Sequence, residues 1–142
     1  MTNEEIARKL ALLPEGLAEE NFQTWQRVLE GNHELSSFPS YSQVLVPMID
    51  WISEFIKSEQ TKLFRAGLPG LTLMISTKEK HGLEKDDPYV FIDIDDSDAM
   101  IVGYCNTSQE LESHSCKNSE VMSEVQPLLD RLWNETRGKK NA

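Results

Sequence analysis

The chain has 142 residues, about the length of one ordinary domain, and we expect a single domain over residues 1–142. Its 24 acidic residues outnumber its 14 lysines and arginines, which gives a formal net charge of −10. Long-range repulsion then argues against nucleic acid or an anionic membrane surface as the main partner and favours a basic protein.

The amino terminus and the most apolar stretch of the chain both indicate a cytoplasmic protein. The amino terminus lacks the basic stretch and apolar run of a secretory signal. The most apolar stretch, from Val44 to Ile56, contains Asp50 and Glu54 and is too short to cross a bilayer. Cys105 and Cys116 are most simply two reduced thiols, as in a reducing compartment.

Apolar residues at three- and four-residue steps predict three amphipathic helices before the first strand. Their expected bounds are Asn3–Leu12, Leu17–Glu30 and Ser40–Glu59. Gly31 and Asn32 should end the second helix. In the third helix, Pro47 either causes a kink or marks the true start near Val46, because proline removes a helical hydrogen bond.

Four strands and a last helix are predicted from the rest of the chain. The expected strands are Thr61–Ala66, Leu71–Ser76 and the two halves of Tyr89–Cys105, which is a hairpin of two apolar runs around a polar break. The polar segment from Asn106 to Asn118 is expected to be a loop, and a helix should follow from Ser119 to Thr136.

The hairpin predicts how the sheet is divided into faces. If Asp95 to Asp98 form a four-residue turn, Ile94 lies opposite Ala99, and Ile92 lies opposite Ile101 on the core face. The second face would then carry Tyr89, Phe91, Asp93, Met100, Val102 and Tyr104. Such a face is too apolar to be simply solvated, so we expect it to be covered by the chain's own helices or by another molecule.

The order of elements predicts the fold class. Strands clustered in the middle of the chain, with helices at both ends, are typical of an α+β domain. We expect an antiparallel four-stranded meander packed against the N-terminal helices and a C-terminal helix.

The acidic hairpin turn does not match a calcium loop. Counted from Asp93, an EF-hand loop needs glycine at the sixth position and glutamate at the twelfth, where the chain has Asp98 and Tyr104. A turn capped by its own carboxylates is the expected structure.

Zinc and cysteine chemistry have little support. Cys105, His114 and Cys116 could supply three zinc ligands, but the chain has no C-x₂-C pair and no fourth ligand at a familiar spacing. The same residues could form a Cys–His nucleophile, yet nothing in the sequence indicates a lowered thiol pKa. We expect no metal, no cofactor and no catalytic residues.

The functional hypothesis is a non-catalytic acidic binding protein, of the adaptor, inhibitor or immunity type, for a basic protein partner. The partner-binding residues it names are Tyr89, Phe91, Asp93, Asp95, Asp96, Asp98 and Tyr104. An alternative is a small enzyme or anion-binding domain with a pocket between the sheet and the Ser40–Glu59 helix, where Arg65 would hold the anion. A third hypothesis is a homodimer through the face that carries Tyr89, Phe91 and Tyr104.

Overall fold

The fold is described from a computed structural model covering residues 1–80, 82–96 and 99–140, without the side chains of Asp96 and Lys140. The helices are α1 Asn3–Leu10, α2 Leu17–Ser36, α3 Val46–Phe55, α4 Val121–Glu135 and α5 Arg137–Lys140. The strands are β1 Arg65–Gly67, β2 Leu73–Ser76, β3 Tyr89–Asp96, β4 Ala99–Cys105 and β5 Leu111–Lys117. Short 3₁₀ turns span Glu59–Lys62 and Asn118–Glu120.

The described strands form one antiparallel sheet in the order β1-β2-β3-β4-β5. The predicted α+β class and antiparallel sheet are therefore confirmed. The predicted number of strands is wrong by one, because β5 lies in the segment expected to be a loop. Its sequence, Leu-Glu-Ser-His-Ser-Cys-Lys, lacks the apolar alternation that indicates a strand, since β5 is an edge strand with mostly exposed side chains.

The predicted register of the hairpin is wrong by one residue. Ile94 pairs with Met100 and Ile92 pairs with Val102, and a bulge between Ile94 and Asp96 shifts the pairing. Because side chains alternate along a strand, a shift of one residue exchanges the two faces of β4. Met100, Val102 and Tyr104 consequently point toward the helices, and Ala99, Ile101 and Gly103 lie on the opposite face.

One face of the sheet packs against the helices and forms the core. The buried strand residues are Ala66, Leu73, Ile75, Val90, Ile92, Met100, Val102 and Tyr104. The helices contribute, among others, Trp25, Met48, Ile52, Phe55, Val125, Leu129 and Trp133. Trp25 is fully buried and its indole N–H donates to the Phe64 carbonyl at 3.0 Å, which fixes α2 beside the start of the sheet.

The β1 edge of the sheet is covered by α2. The backbone N–H of Ala66, in the middle of β1, donates to the Thr24 hydroxyl oxygen at 2.9 Å. The same hydroxyl donates to the Asn21 carbonyl at 2.6 Å. A side chain of α2 therefore occupies the place that a further strand would take beside β1.

The largest differences from the predicted helix bounds are in α2 and α3. α2 continues past Gly31 to Ser36, and the buried Asn32 amide donates to the Val28 carbonyl at 3.1 Å instead of taking part in a left-handed helix end. α3 begins at Val46 with Pro47 in its first turn, as in the second of the two interpretations of that proline. Among the described residues, no helix combines the length and the apolar character needed to cross a bilayer.

Candidate functional site

The sheet face turned away from the helices carries a partly exposed apolar surface. Met74, Tyr89, Phe91 and Ile101 lie on it, and these four are partly exposed and do not belong to the core cluster. Leu111, at the start of β5, continues the surface and is 65% exposed. We call the surface formed by these five residues and Asp93 the open face.

The centre of the open face is the Phe91 ring, which lies across Gly103 of the neighbouring strand. A Cβ atom at Gly103 would come within 2.3 Å of the Phe91 Cζ and 2.6 Å of the Glu112 carbonyl oxygen. Glycine at this position lets the ring rest directly on the β4 backbone. The centre of the surface is therefore flat and apolar.

Two carboxylates mark one end of the open face. Asp93 pairs with Ile101 across the β3–β4 ladder, and its Oδ1 accepts the N–H of Ile94 at 3.0 Å. Asp95 is exposed, and its Oδ2 accepts the hydroxyl of Ser115 at 2.8 Å. The side chain of Asp96 and the whole of Asp98, which belong to the same predicted set, lie outside the described residues.

Tyr104 does not belong to the open face. It is fully buried on the helix side, where its hydroxyl donates to Glu135 and the Arg131 guanidinium lies 4.2 Å from its ring centre. Burial and the bond to Glu135 raise the pKa of Tyr104. The predicted position of Tyr104 beside Tyr89 and Phe91 is therefore wrong, because it depended on a hairpin register that differs by one residue from the observed one.

Tyr89 and Cys105 pair with each other at the end of the open face opposite the carboxylates. Cys105 is buried although it lies on this side of the sheet, and its thiol donates to the Gln109 side-chain oxygen at 3.7 Å. Burial and a hydrogen bond with Cys105 raise the pKa of Tyr89. Cys105 is therefore a buried side chain that packs beside Tyr89 and Gln109.

The open face ends at β5, and this edge of the sheet is exposed. The β4–β5 ladder runs through seven successive pairs, from Ala99 with Lys117 to Cys105 with Leu111, without a shift in register. The strand contains no proline.

The sequence does contain a signal for a turn before β5, although the strand itself was not predicted. Asn106 Oδ1 accepts the N–H of Ser108 at 2.9 Å and of Glu110 at 3.0 Å, and asparagine commonly forms turns of this kind.

Arg65 has a structural contact to the chain itself. Its Nε donates to the Lys78 carbonyl at 3.3 Å and its Nη2 to the Glu79 carbonyl at 3.1 Å. These bonds hold the segment that follows β2 against β1. Arg65 does not line either of the two cavities described next.

A surface cavity of about 810 Å³ lies between the β2–β3 connection and the end of α4. Four of its charged side chains form two ion pairs within the lining: Lys78 with Asp87, and Arg137 with Glu79, each at 3.0 Å. A second cavity, of about 470 Å³, lies between α3 and the start of α4, beside Trp51 and Met122.

The remaining candidate residues are not grouped into a catalytic or metal site in the described part of the chain. There, no three His, Cys, Asp or Glu side chains are placed to hold a metal ion. His114 Nε2 lies 2.7 Å from Glu124 Oε2, and Cys105 lies on the other side of the sheet from His114 and Cys116. Burial, together with Glu124 and Glu120, raises the pKa of the Cys116 thiol, which disfavours the thiolate.

Comparisons with protein-family models, curated proteins and solved structures found no match for this chain.

Proposed function

We propose that the chain is a non-catalytic binding protein, of the adaptor, inhibitor or immunity type, that holds a basic protein partner on its open face. The observation that supports this most directly is the position of Phe91 and Ile101 outside the core, next to Asp93 and Asp95. An apolar centre bordered by charge is the usual anatomy of a protein–protein interface.

The negative charge beside the open face favours a basic partner. Asp93 and Asp95 border an apolar surface on a chain whose net charge is −10, so a partner with lysine or arginine near an apolar contact is complementary to it. Such attraction accelerates association and weakens as salt is added. The free thiols of Cys105 and Cys116 are compatible with a cytoplasmic setting for this function.

The two other hypotheses have less support. An anion site at Arg65 would compete with the two backbone carbonyls that its guanidinium already contacts. A homodimer through the open face would bring together two copies that each carry a net charge of −10. Sedimentation of the wild-type chain distinguishes a dimer from a monomer.

Two matched variants test the proposal. Asp93→Asn with Asp95→Asn removes two charges from the open face, and Glu19→Gln with Glu20→Gln removes two from the exposed start of α2. A partner captured with wild-type protein should be basic, should dissociate as salt is raised, and should be lost from the first variant and from Phe91→Ser. Equal retention by all variants would contradict the proposal.

A further inference from the structure

The backbone of β5 presents unpaired groups to solvent. In an antiparallel ladder, alternate residues direct their N–H and C=O groups toward the neighbouring strand and away from it. Asn106 donates its N–H to the Glu110 carbonyl at 3.1 Å, which sets the phase of this alternation. The backbone groups of Leu111, Ser113, Ser115 and Lys117 therefore point away from β4.

A hydrogen bond at the end of β5 supports this assignment of the outward-pointing backbone groups. The Lys117 N–H donates to Glu120 Oε1 at 3.0 Å, so it is not directed at β4. Among the described residues, no comparable side chain caps the outward groups of Ser113 and Ser115. The β5 edge thus differs from the β1 edge, where Thr24 accepts the N–H of Ala66.

The β5 edge has neither a bulge nor a proline to hinder the addition of a strand. Natural edge strands are commonly interrupted by bulges or prolines, or covered by a helix or loop. β5 pairs with β4 over seven residues without a bulge, contains no proline, and is exposed at every residue except the partly exposed Cys116. Its one lysine, Lys117, lies at the far end.

Carboxylates lie on both faces of the sheet beside this edge. Asp95 contacts Ser115 on the open face, and on the helix side Glu112 contacts Arg131 and Glu124 contacts His114. Side chains of an added strand would alternate between these two faces. Lysine or arginine at successive positions could therefore reach a carboxylate on either side.

We propose that the β5 edge binds an extended segment of a basic polypeptide, which pairs with Ser113 and Ser115 as a sixth strand of the sheet. The inference depends on the proposed function and makes it more specific: the partner contributes a strand, and its remaining surface lies on the open face. Main-chain hydrogen bonds supply part of the affinity in this mode of recognition, and the alternating side chains supply specificity.

A second copy of the chain fits the edge less well. A symmetrical antiparallel pairing centred on His114 would place Leu111 beside Lys117 and Glu112 beside Cys116. No ion pair forms directly across such an interface, and both copies carry the same acidic surroundings. The basic segment is therefore the better complement.

The test uses a blocked peptide of alternating lysine and valine, with an alternating glutamate and valine peptide as its comparison. Ser113→Pro removes an outward N–H and places the proline ring in the path of the added strand, while the bonds of the neighbouring residues to β4 remain. Ser113→Ala keeps the N–H and is the matched control. Binding is measured by fluorescence anisotropy, with thermal unfolding of each variant as the check on folding.

We expect the lysine peptide alone to bind, and Ser113→Pro to weaken it about tenfold or more, while Ser113→Ala leaves it nearly unchanged. In the wild-type chain, the peptide should slow hydrogen exchange at the amides of Ser113 and Ser115, a result that holds even if the proline variant does not fold. Absence of binding, or binding without protection of these amides, would overturn the inference. Loss of binding with Phe91→Ser but not with Ser113→Pro would also overturn it and leave the proposed function standing.

Discussion

Replacing Gly103 with alanine should destabilise the protein, although glycine-to-alanine changes in extended strands usually stabilise. Gly103 is not among the residues with positive φ, so its backbone conformation suits alanine. The obstacle is space: the added methyl group would lie 2.3 Å from the Phe91 Cζ and 2.6 Å from the Glu112 carbonyl oxygen. The Phe91 ring can rotate away, but the carbonyl belongs to the backbone of β5.

The expected magnitude follows from two opposing terms. Restricting the unfolded chain would stabilise by about 0.4–1 kcal/mol. Forcing a methyl group into filled space typically costs about 1–3 kcal/mol. The net loss should be about 1–2 kcal/mol, which lowers the melting temperature of a domain of this size by roughly 3–6 °C.

Urea denaturation followed by tryptophan fluorescence measures this loss, and a double-mutant cycle assigns it to Phe91. In a Phe91→Ala background, Gly103→Ala should cost less, because only the contact with the Glu112 carbonyl remains. A Gly103→Ala protein that is as stable as wild type would refute the reasoning. Equal costs in both backgrounds would show that the ring is not the obstacle.

Two further predictions concern the alkaline limit of stability and the β4–β5 loop. Folded Tyr104 has a raised pKa, so it stabilises below the ordinary tyrosine pKa of about 10, and this contribution is lost as the pH rises above that value. Tyr104→Phe should flatten the decline in urea midpoint above pH ~10, and an unchanged slope would contradict it. Gln109 has φ of 63°, a left-handed conformation that costs an L residue about 1–2 kcal/mol. Glycine relieves this strain at an entropic cost of about 0.5–1 kcal/mol, so Gln109→Gly should stabilise by about 0.5–1 kcal/mol, and a lower urea midpoint would contradict this prediction.

Several features of the fold could be predicted from local sequence because their causes are local. The apolar runs around the acidic break indicate the β3–β4 hairpin. Pro47 restricts the start of α3 to one of two interpretations, because its missing N–H is tolerated only in the first turn or at a kink. The order of helices and strands indicates the α+β class with its antiparallel sheet. The acidic excess depends on composition alone.

The tertiary structure decided which surface is open, because that depends on register and on neighbours distant in the chain. The one extra residue in the bulge near Asp95 places Tyr104 in the core and Ile101 on the opposite face of the sheet. The sequence alone does not distinguish the two registers, because β4 carries apolar residues on both of its faces. β5 has no apolar pattern of its own. It is a strand because its backbone pairs with that of β4 along the whole segment. Thr24 of α2 closes one edge of the sheet, and the opposite edge stays open because no described helix reaches it in the same way.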